Sequence, residues 1–477
     1  MVLLGIDVGT TSLKAAAFDE TGRRLALCTM DYTLSTAEGG VMVEFEANEY
    51  LRICREAIAR IRAEVGQIDA ISVDTQGETM ILTDEAGTPL APAIVWLDNR
   101  AEAEAREIEA HFGLENFYNH TGQPEVTGGW PACKLLWVKR NRPEIWAKTK
   151  KIFLLGDWLL HDLGGEFVTE PTLQSSSCYY DITTGDWWPE MLDYIGITRD
   201  QLPRLIPSAT AVAKFEEATV VTGALDQIAG SVGTGVVTPD IVSEMTGTIM
   251  AVCALCDEIP PFDPASKIPC HVHLDGHYCR LLWSPTAGMA LKWFRNSFAA
   301  GVDFAALDKE AAEVPAGSEG LVFLPYLCGS TMPTYNPDAR GLFGGITLAH
   351  GRGHFVRAIL EAIAFMLDDT LRTAGNAIEE LRITGGGAAS PLWAQIKADV
   401  TGLRLCVPAE SETACLGTAI LAGVGAGAFA SVEAGTAACV RTGKTYLPTG
   451  TDYTDAARRF RAYDKLFNNQ EVSTCLK

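Results

Sequence analysis

Residues Asp7-Val8-Gly9-Thr10-Thr11-Ser12-Leu13-Lys14 constrain the fold of this chain more than any other stretch. They lie between two apolar runs, Val2 to Ile6 and Ala15 to Phe18, which reads as strand, tight polar turn, strand. Gly9 can take a left-handed backbone and let N–H groups face an anion, and the hydroxyls of Thr10, Thr11 and Ser12 and the Lys14 ammonium add donors. Such a turn suits a phosphate. The Asp7 carboxylate at the strand's end would repel a bare phosphate, so its presence fits a divalent cation between the two. An ordinary polar hairpin is the alternative reading of these residues alone.

A turn at Asp19-Glu20-Thr21-Gly22 and a strand from Arg23 to Thr33 extend the hairpin to three antiparallel strands. Asn48 reads as the N-cap of an amphipathic helix bearing Leu51, Cys54, Ile58, Ile61 and Val65, which Gly66 ends. Ile68 to Val73 is then a buried strand opening into Asp74-Thr75-Gln76-Gly77-Glu78, where open α/β sheets put their ligand crevice; a solvated loop is the alternative. The strand Ala93 to Trp96 adds Asp98-Asn99-Arg100 to the same edge. Gly128-Gly129-Trp130-Pro131 opens a helix that stops near Pro143, with Trp130 placed either to stack on a ligand or to pack. Ser175-Ser176-Ser177 reads as a loop of little information. Asp226-Gln227 falls at a strand-to-helix junction, where a helix cap is the plain role for the acid.

After Pro239 the pattern begins again: Ile241 to Thr246, the turn Gly247-Thr248, then Ile249 to Leu255. Single cores rarely grow past roughly 250 to 300 residues, so 477 residues imply two domains. The repeat divides them at residues 1–238 and 239–477, each presenting a hydroxyl-bearing turn to a nucleotide between them. Further on, a helix from His354 to Thr373 precedes a strand, Leu381 to Thr384, and Gly385-Gly386-Gly387, where a flat ligand or phosphate can meet backbone; a close-packed turn is the alternative. Ser390 and Pro391 open the next helix as N-cap and first-turn residue.

The formal net charge of -22 argues against general affinity for nucleic acid or anionic membrane. Ala414 to Val432 carries no charge, but its Gly, Ala, Ser and Thr content reads as a tightly packed internal helix rather than a membrane span. Thirteen scattered cysteines fit reduced thiols, and the first residues show no signal peptide, so a cytoplasmic location is expected. The run Cys270 to Cys279, with His271, His273 and His277, invites a zinc site. Its Asp275-Gly276 turn signal and lack of finger-like spacing favour a hairpin.

Together these pieces resemble the FGGY family of carbohydrate kinases over nearly the whole chain. Asp7 to Lys14 is similar to the family's first phosphate motif, Gly129 to Asn141 matches the first family signature, and Gly341 to Ile346 with His354, Phe355, Ala358 and Glu361 matches the second. Gly385-Gly386-Gly387 resembles the adenosine motif and Asp226-Gln227 the pair carrying the catalytic aspartate. The resemblance implies an α/β fold of two ribonuclease-H-like domains, as in actin-like ATPases, with a central cleft for ATP, magnesium and a sugar or polyol, and no nucleic-acid or membrane partner; a homodimer stays open. It raises Asp226 from cap to base and magnesium ligand with Asp7, and assigns phosphates to Gly9, Thr10, Thr11, Ser12, Lys14, Gly247 and Thr248. Gly288 and Gly385 to Gly387 would flank the nucleoside, and Gln76, Gly77, Glu78, Trp96, Asp98, Trp130, Asp226 and Gln227 would hold the acceptor.

Xylulokinases resemble one another in having Gln-Met-His-Gly where this chain has Gln76-Gly77-Glu78-Thr79. Glycerol kinases share the Gln and Glu but put Arg at the place of Gly77, and losing that Arg is expected to leave room for a larger molecule. A four- or five-carbon ketose or polyol, such as xylulose, is the expected acceptor, with a glycerol-kinase-like polyol kinase as the alternative. A nucleotide-binding regulator without turnover is the other class; it is not expected, since Asp226 is in place and the kinase pattern runs to both ends of the sequence.

Overall fold

In the computed structural model, which describes residues 1–265, 267–332, 334–375 and 377–468, the opening apolar run is β1 (Leu3–Val8), nearly wholly buried and therefore central. It pairs antiparallel with β2 (Ser12–Phe18), which pairs with β3 (Arg24–Asp31), so the expected three-stranded start is present. Helix α1 (Ala47–Val65) carries the chain over the sheet; its cap position is Glu46, Asn48 lies inside the first turn, and Gly66 ends it with φ +81°. β4 (Ala70–Thr75) then pairs parallel with β1, two residues later than the apolar run suggested, because Ser72 and Asp74 are buried in the strand. After α2 (Pro131–Asn141), β5 (Ala218–Leu225) adds parallel to β4 and leads directly into α3 (Asp226–Thr234). The sheet order, from the Ala211–Phe215 edge strand, is β5, β4, β1, β2, β3.

The second half repeats this plan. β6 (Ile241–Thr246), β7 (Met250–Cys256) and, beyond the short β8 (Cys270–Val272), β9 (Tyr278–Ser284) form the antiparallel set. After α4 (Gly288–Phe298) and α5 (Arg352–Ala374), β10 (Glu380–Thr384) joins β6 in parallel, and past α6 (Pro391–Thr401), β11 (Arg404–Pro408) joins β10. The order β9, β7, β6, β10, β11 matches β3, β2, β1, β4, β5 strand for strand, so both halves are ribonuclease-H-like.

The second sheet starts just after residue 238, yet α7 (Thr413–Gly425) and α8 (Val432–Cys439) return to the first lobe. Leu416, Ala419 and Ile420 share a core with Leu3, Ala16 and Phe18. Glycines allow this closeness: a Cβ on Gly233 would overlap the carbonyl of Thr413, one on Gly417 that of Ala229, and one on Gly5 that of Cys415. The chargeless span is an internal helix only as far as Gly425; residues 426–431 turn before α8, and among the described residues no helix is long and apolar enough to cross a membrane. The zinc-like run is a hairpin, with Asp275 at φ +56° and Gly276 at φ +84° in its turn. His271 and His273 are buried and neutral, their pKa values pushed down by burial to about 4 and about 3.

Candidate active site

Three carboxylates converge at the carboxyl ends of β1, β4 and β5. Asp7 ends β1, Glu78 follows β4, and Asp226 follows β5, where strand gives way to helix. Burial first, then the charges of Asp7 and Glu78, push the Asp226 pKa up to about 8. Asp226 is the first residue of α3 rather than its cap; protein closes around its carboxylate although part of the residue still reaches solvent, and one of its oxygens accepts the Gln227 N–H at 2.6 Å. Burial also raises Asp7, partly offset by Lys14, and Asp74 beside it on β4 is raised well above the usual range by burial and by Asp7. Asp74 also accepts a hydrogen bond from Thr418 of α7.

The phosphate turn closes with Gly9 N–H donating to Ser12 O at 3.1 Å. Gly9 does not use the left-handed backbone expected of it; Gly385, at φ +75°, does. Thr10 Oγ1 accepts from the Trp96 indole at 3.0 Å, while the Trp96 N–H donates to Thr79 Oγ1 at 3.2 Å, so one residue ties the phosphate turn to the acceptor loop. Lys14 is brought opposite Asp7, but its ammonium is engaged by Glu412 at 2.7 Å. Thr11 is exposed and Ser12 half-buried.

In the acceptor loop, the Thr79 N–H donates to Gly77 O at 2.5 Å, and the tight turn holds Glu78 at φ +49°, a strained conformation for a residue with a side chain. Glu78 is raised by burial, and hydrogen bonding from Ser176 and the Lys134 charge oppose the rise. Lys134, fully buried, has its amine 2.9 Å from Val95 O and 3.3 Å from Glu78 O, and burial lowers its pKa to about 8. Gln76 donates to the Tyr50 hydroxyl at 3.3 Å, and its own buried oxygen has no partner among the described residues. The space beside Gly77 is already held: a Cβ there would lie 2.9 Å from Ser176 Oγ and 3.0 Å from Leu225 Cδ1, so the missing Arg does not open room on that side.

Two expected acceptor contacts are structural instead. The fully buried Asp98 carboxylate accepts the Val43 N–H at 2.6 Å and the Arg100 guanidinium at 2.8 and 2.6 Å, which consumes it in the loop's own framework. Trp130 packs against the first lobe's core and donates its indole N–H to Glu125 O at 3.0 Å. Sequence reading missed Ser176, Lys134 as a prop, and Lys397. The Lys397 amine, fully buried, sits 2.6 Å from Glu244 and 2.7 Å from Thr246 Oγ1, beneath the second turn.

That second turn is Gly247-Thr248. The Thr248 carbonyl accepts N–H groups from Ala287 and Met289, and Gly288 has no Cβ because one would overlap Gly247 O. Gly385 and Gly387 close onto Thr246 in the same way, their Cβ positions falling 2.7 Å from its carbonyl and 2.6 Å from its Cβ. Gly247, Thr248, Gly288, Gly386 and Gly387 line a cavity of about 560 Å³ whose walls include Leu291, Phe304 and Trp393. Its size and mostly apolar lining suit a flat heterocycle with polar groups at one end.

The FGGY carbohydrate kinase N-terminal domain model matches residues 2–235 and the C-terminal domain model residues 284–426. A gluconokinase of Bacillus subtilis is 30% identical, the match covering 98% of this chain and 95% of that one. A xylulose kinase of Lactococcus lactis is also 30% identical, over 99% and 97%. The crystal structure of a xylulose kinase from Rhodospirillum rubrum superposes with a TM-score of 0.89 at 26% identity, covering 98% of this chain and 99% of that one. With models of both family domains matched and relatives at 30% identity covering nearly the whole chain, the chain belongs to the FGGY family of carbohydrate kinases.

Proposed function

We propose that this carbohydrate kinase transfers the γ-phosphoryl group of ATP to a hydroxyl of a neutral four- or five-carbon ketose or polyol such as xylulose. The observation that carries the reading is the meeting of Asp226 with Glu78 on one side and Asp7 on the other, since both charges act on Asp226. An alcohol is a weak nucleophile. The Asp226 carboxylate, at the start of α3 beside Asp7 and Glu78, can take its proton as the oxygen attacks in line.

Asp7 and Asp226 fit a magnesium ion, because two carboxylates that repel each other across the phosphate turn gain from a cation between them. Bound there, the ion would neutralise phosphate charge. Gly9, Thr10 and Ser12 face the phosphates from the first lobe and Gly247 and Thr248 from the second. Gln76, Glu78, Ser176 and Gln227 orient the acceptor, with the Glu78 carboxyl oxygens accepting from its hydroxyls.

A sugar acid is the second reading, prompted by the gluconokinase relative. It is disfavoured because the cation bonded to the acceptor loop, Lys134, is spent on backbone carbonyls, and a carboxylate substrate would meet Glu78. A coupled ADP-release screen over ketoses, polyols and sugar acids tests both. Turnover confined to sugar acids, or to none of the three classes, would overturn the proposal.

A further inference from the structure

Alternation along the second lobe's sheet gives its two faces different partners. Val242, Val252, Ala254 and Leu282 point into that lobe's own core. Cys253, Leu255 and Cys279 point the other way and join the first lobe's core, and Arg382 on the same face donates to Thr234 O, at the end of α3, at 2.7 Å. This is the face the second lobe turns toward Asp226's helix. Its last row before the Gly247-Thr248 turn runs Thr384, Met245, Ala251, Trp283, paired across β10, β6, β7 and β9.

Along that row the first lobe stops covering the sheet. Cys253 is 7% exposed, whereas Met245 is 40% and Trp283 38% exposed. β8 pairs Cys270 with Arg280 and goes no further along β9; beyond it the edge at Trp283 is met by Thr331, whose hydroxyl donates to the Trp283 carbonyl. β8 itself docks near the acceptor loop, since the Val272 N–H donates to Ser175 Oγ at 3.0 Å and Ser175 adjoins Ser176, the partner of Glu78. Met245 lies against Gly385, whose Cβ position would fall 3.2 Å from the Met245 Cγ, and Trp283 stands at the other end of the row, so exposed apolar surface remains on this side, facing the first lobe, between the second phosphate turn and the edge where β8 docks.

We infer that Trp283 and Met245 are the second lobe's half of the acceptor site: on closure the indole covers the carbon chain of the sugar or polyol and excludes water from the space between Asp226 and the phosphates. Hydroxyls on one edge of the acceptor meet Glu78, Gln76 and Ser176, and the C–H groups meet the electron-rich indole face. Excluding water suppresses transfer to water in place of the sugar. The inference rests on the kinase reading above.

The test compares wild type with Trp283→Ala, Trp283→Phe and Met245→Ala, using the acceptor that the screen identifies. Trp283→Ala should lose ten- to a hundredfold in kcat/KM for that acceptor, keep KM for ATP within about twofold, and release more than one ADP per sugar phosphate formed, with Phe restoring most of the coupling. Unchanged coupling and acceptor kcat/KM in a Trp283→Ala protein with the wild-type melting temperature would overturn the inference while leaving the kinase reading intact. Wild type that phosphorylates no acceptor would sink the reading and the inference together. Should the Ala variant not fold, wild type labelled with 5-fluorotryptophan carries the test. Its Trp283 resonance, assigned by its absence from Trp283→Phe, should shift on adding acceptor with a nonhydrolysable ATP analogue, and a resonance that stays put would count against contact.

Discussion

Asp226 and Glu78 divide the chemistry of the cleft between them, and each can be tested by a near-isosteric change. Asp226→Asn keeps the size and the place at the start of α3 but cannot take a proton, so turnover should fall by roughly 10²- to 10⁴-fold. ATP affinity, measured by calorimetry, should stay within a few-fold. A mutant with wild-type turnover would remove the base assignment. Glu78 carries a second signature, since its φ of +49° stores strain of about 1 to 3 kcal/mol. Glu78→Gly should therefore unfold at a higher temperature while kcat/KM for the acceptor drops at least tenfold, a trade of stability for activity. If both stability and activity fall, the backbone there is not held against its preference. Glu78 stood out in the sequence because a strand's end announces itself by a change from apolar to polar residues, whereas Asp226 read there as a helix cap and took the role of base only from the family resemblance. Ser176 did not stand out, because a serine run has no period and its partner lies far away in the chain. Asp98 looked like a ligand for the same reason that Glu78 did, and only its contacts with Arg100 and Val43 separate the two.

The hairpin of β8 and β9 shows how an element can be read correctly while its purpose stays hidden. Asp275-Gly276 marked the turn, and the alternation of His271 and His273 marked one face. Neither says that the face docks on the other lobe, where His273 Nε2 lies 2.9 Å from Ser231 Oγ on α3. Docking makes this joint acid-sensitive. His273 is held near pKa 3 by burial against an ordinary value of 6.5, so the unfolded chain binds the proton more readily. Stability from this group is complete above about pH 6.5 and is lost as pH falls from there toward about 3, by up to about 1.4 kcal/mol per unit. Buried acids such as Asp157, raised to about 8 by burial, act in the opposite sense, so the comparison has to be made within one position. Wild type should lose more of its melting temperature between pH 7 and pH 5 than His273→Gln does. Equal losses would mean that the imidazole does not face the low-dielectric joint described here.

Across the whole molecule, two copies of one plan are joined in one chain, β1 and β6 match in place, and each is followed by a Gly-Thr turn. That duplication was readable because both copies keep the strand, Gly-Thr turn, strand order. If one ATP is gripped by Gly9 to Ser12 and Gly247-Thr248 together, acceptor plus a nonhydrolysable analogue should shrink the radius of gyration in small-angle scattering; an unchanged radius at confirmed saturation would argue against closure. What the sequence concealed is the return of α7 and α8 to the first lobe, because small-residue composition predicts close packing without naming the partner. This return fixes an order of events at the ribosome. The strand bearing Asp7 and the helix bearing Asp226 both rest on α7 through Gly5, Gly233 and Gly417. The catalytic lobe, although most of it is synthesised first, therefore lacks one wall until residues 413–439 have left the exit tunnel. Residues 1–238 expressed alone should accumulate in aggregates with Leu3, Ala16 and Phe18 uncovered, and fusing 409–440 to their end should return them to the soluble fraction. In the cell, a nascent chain of this enzyme would depend on holding chaperones for nearly the whole of its translation.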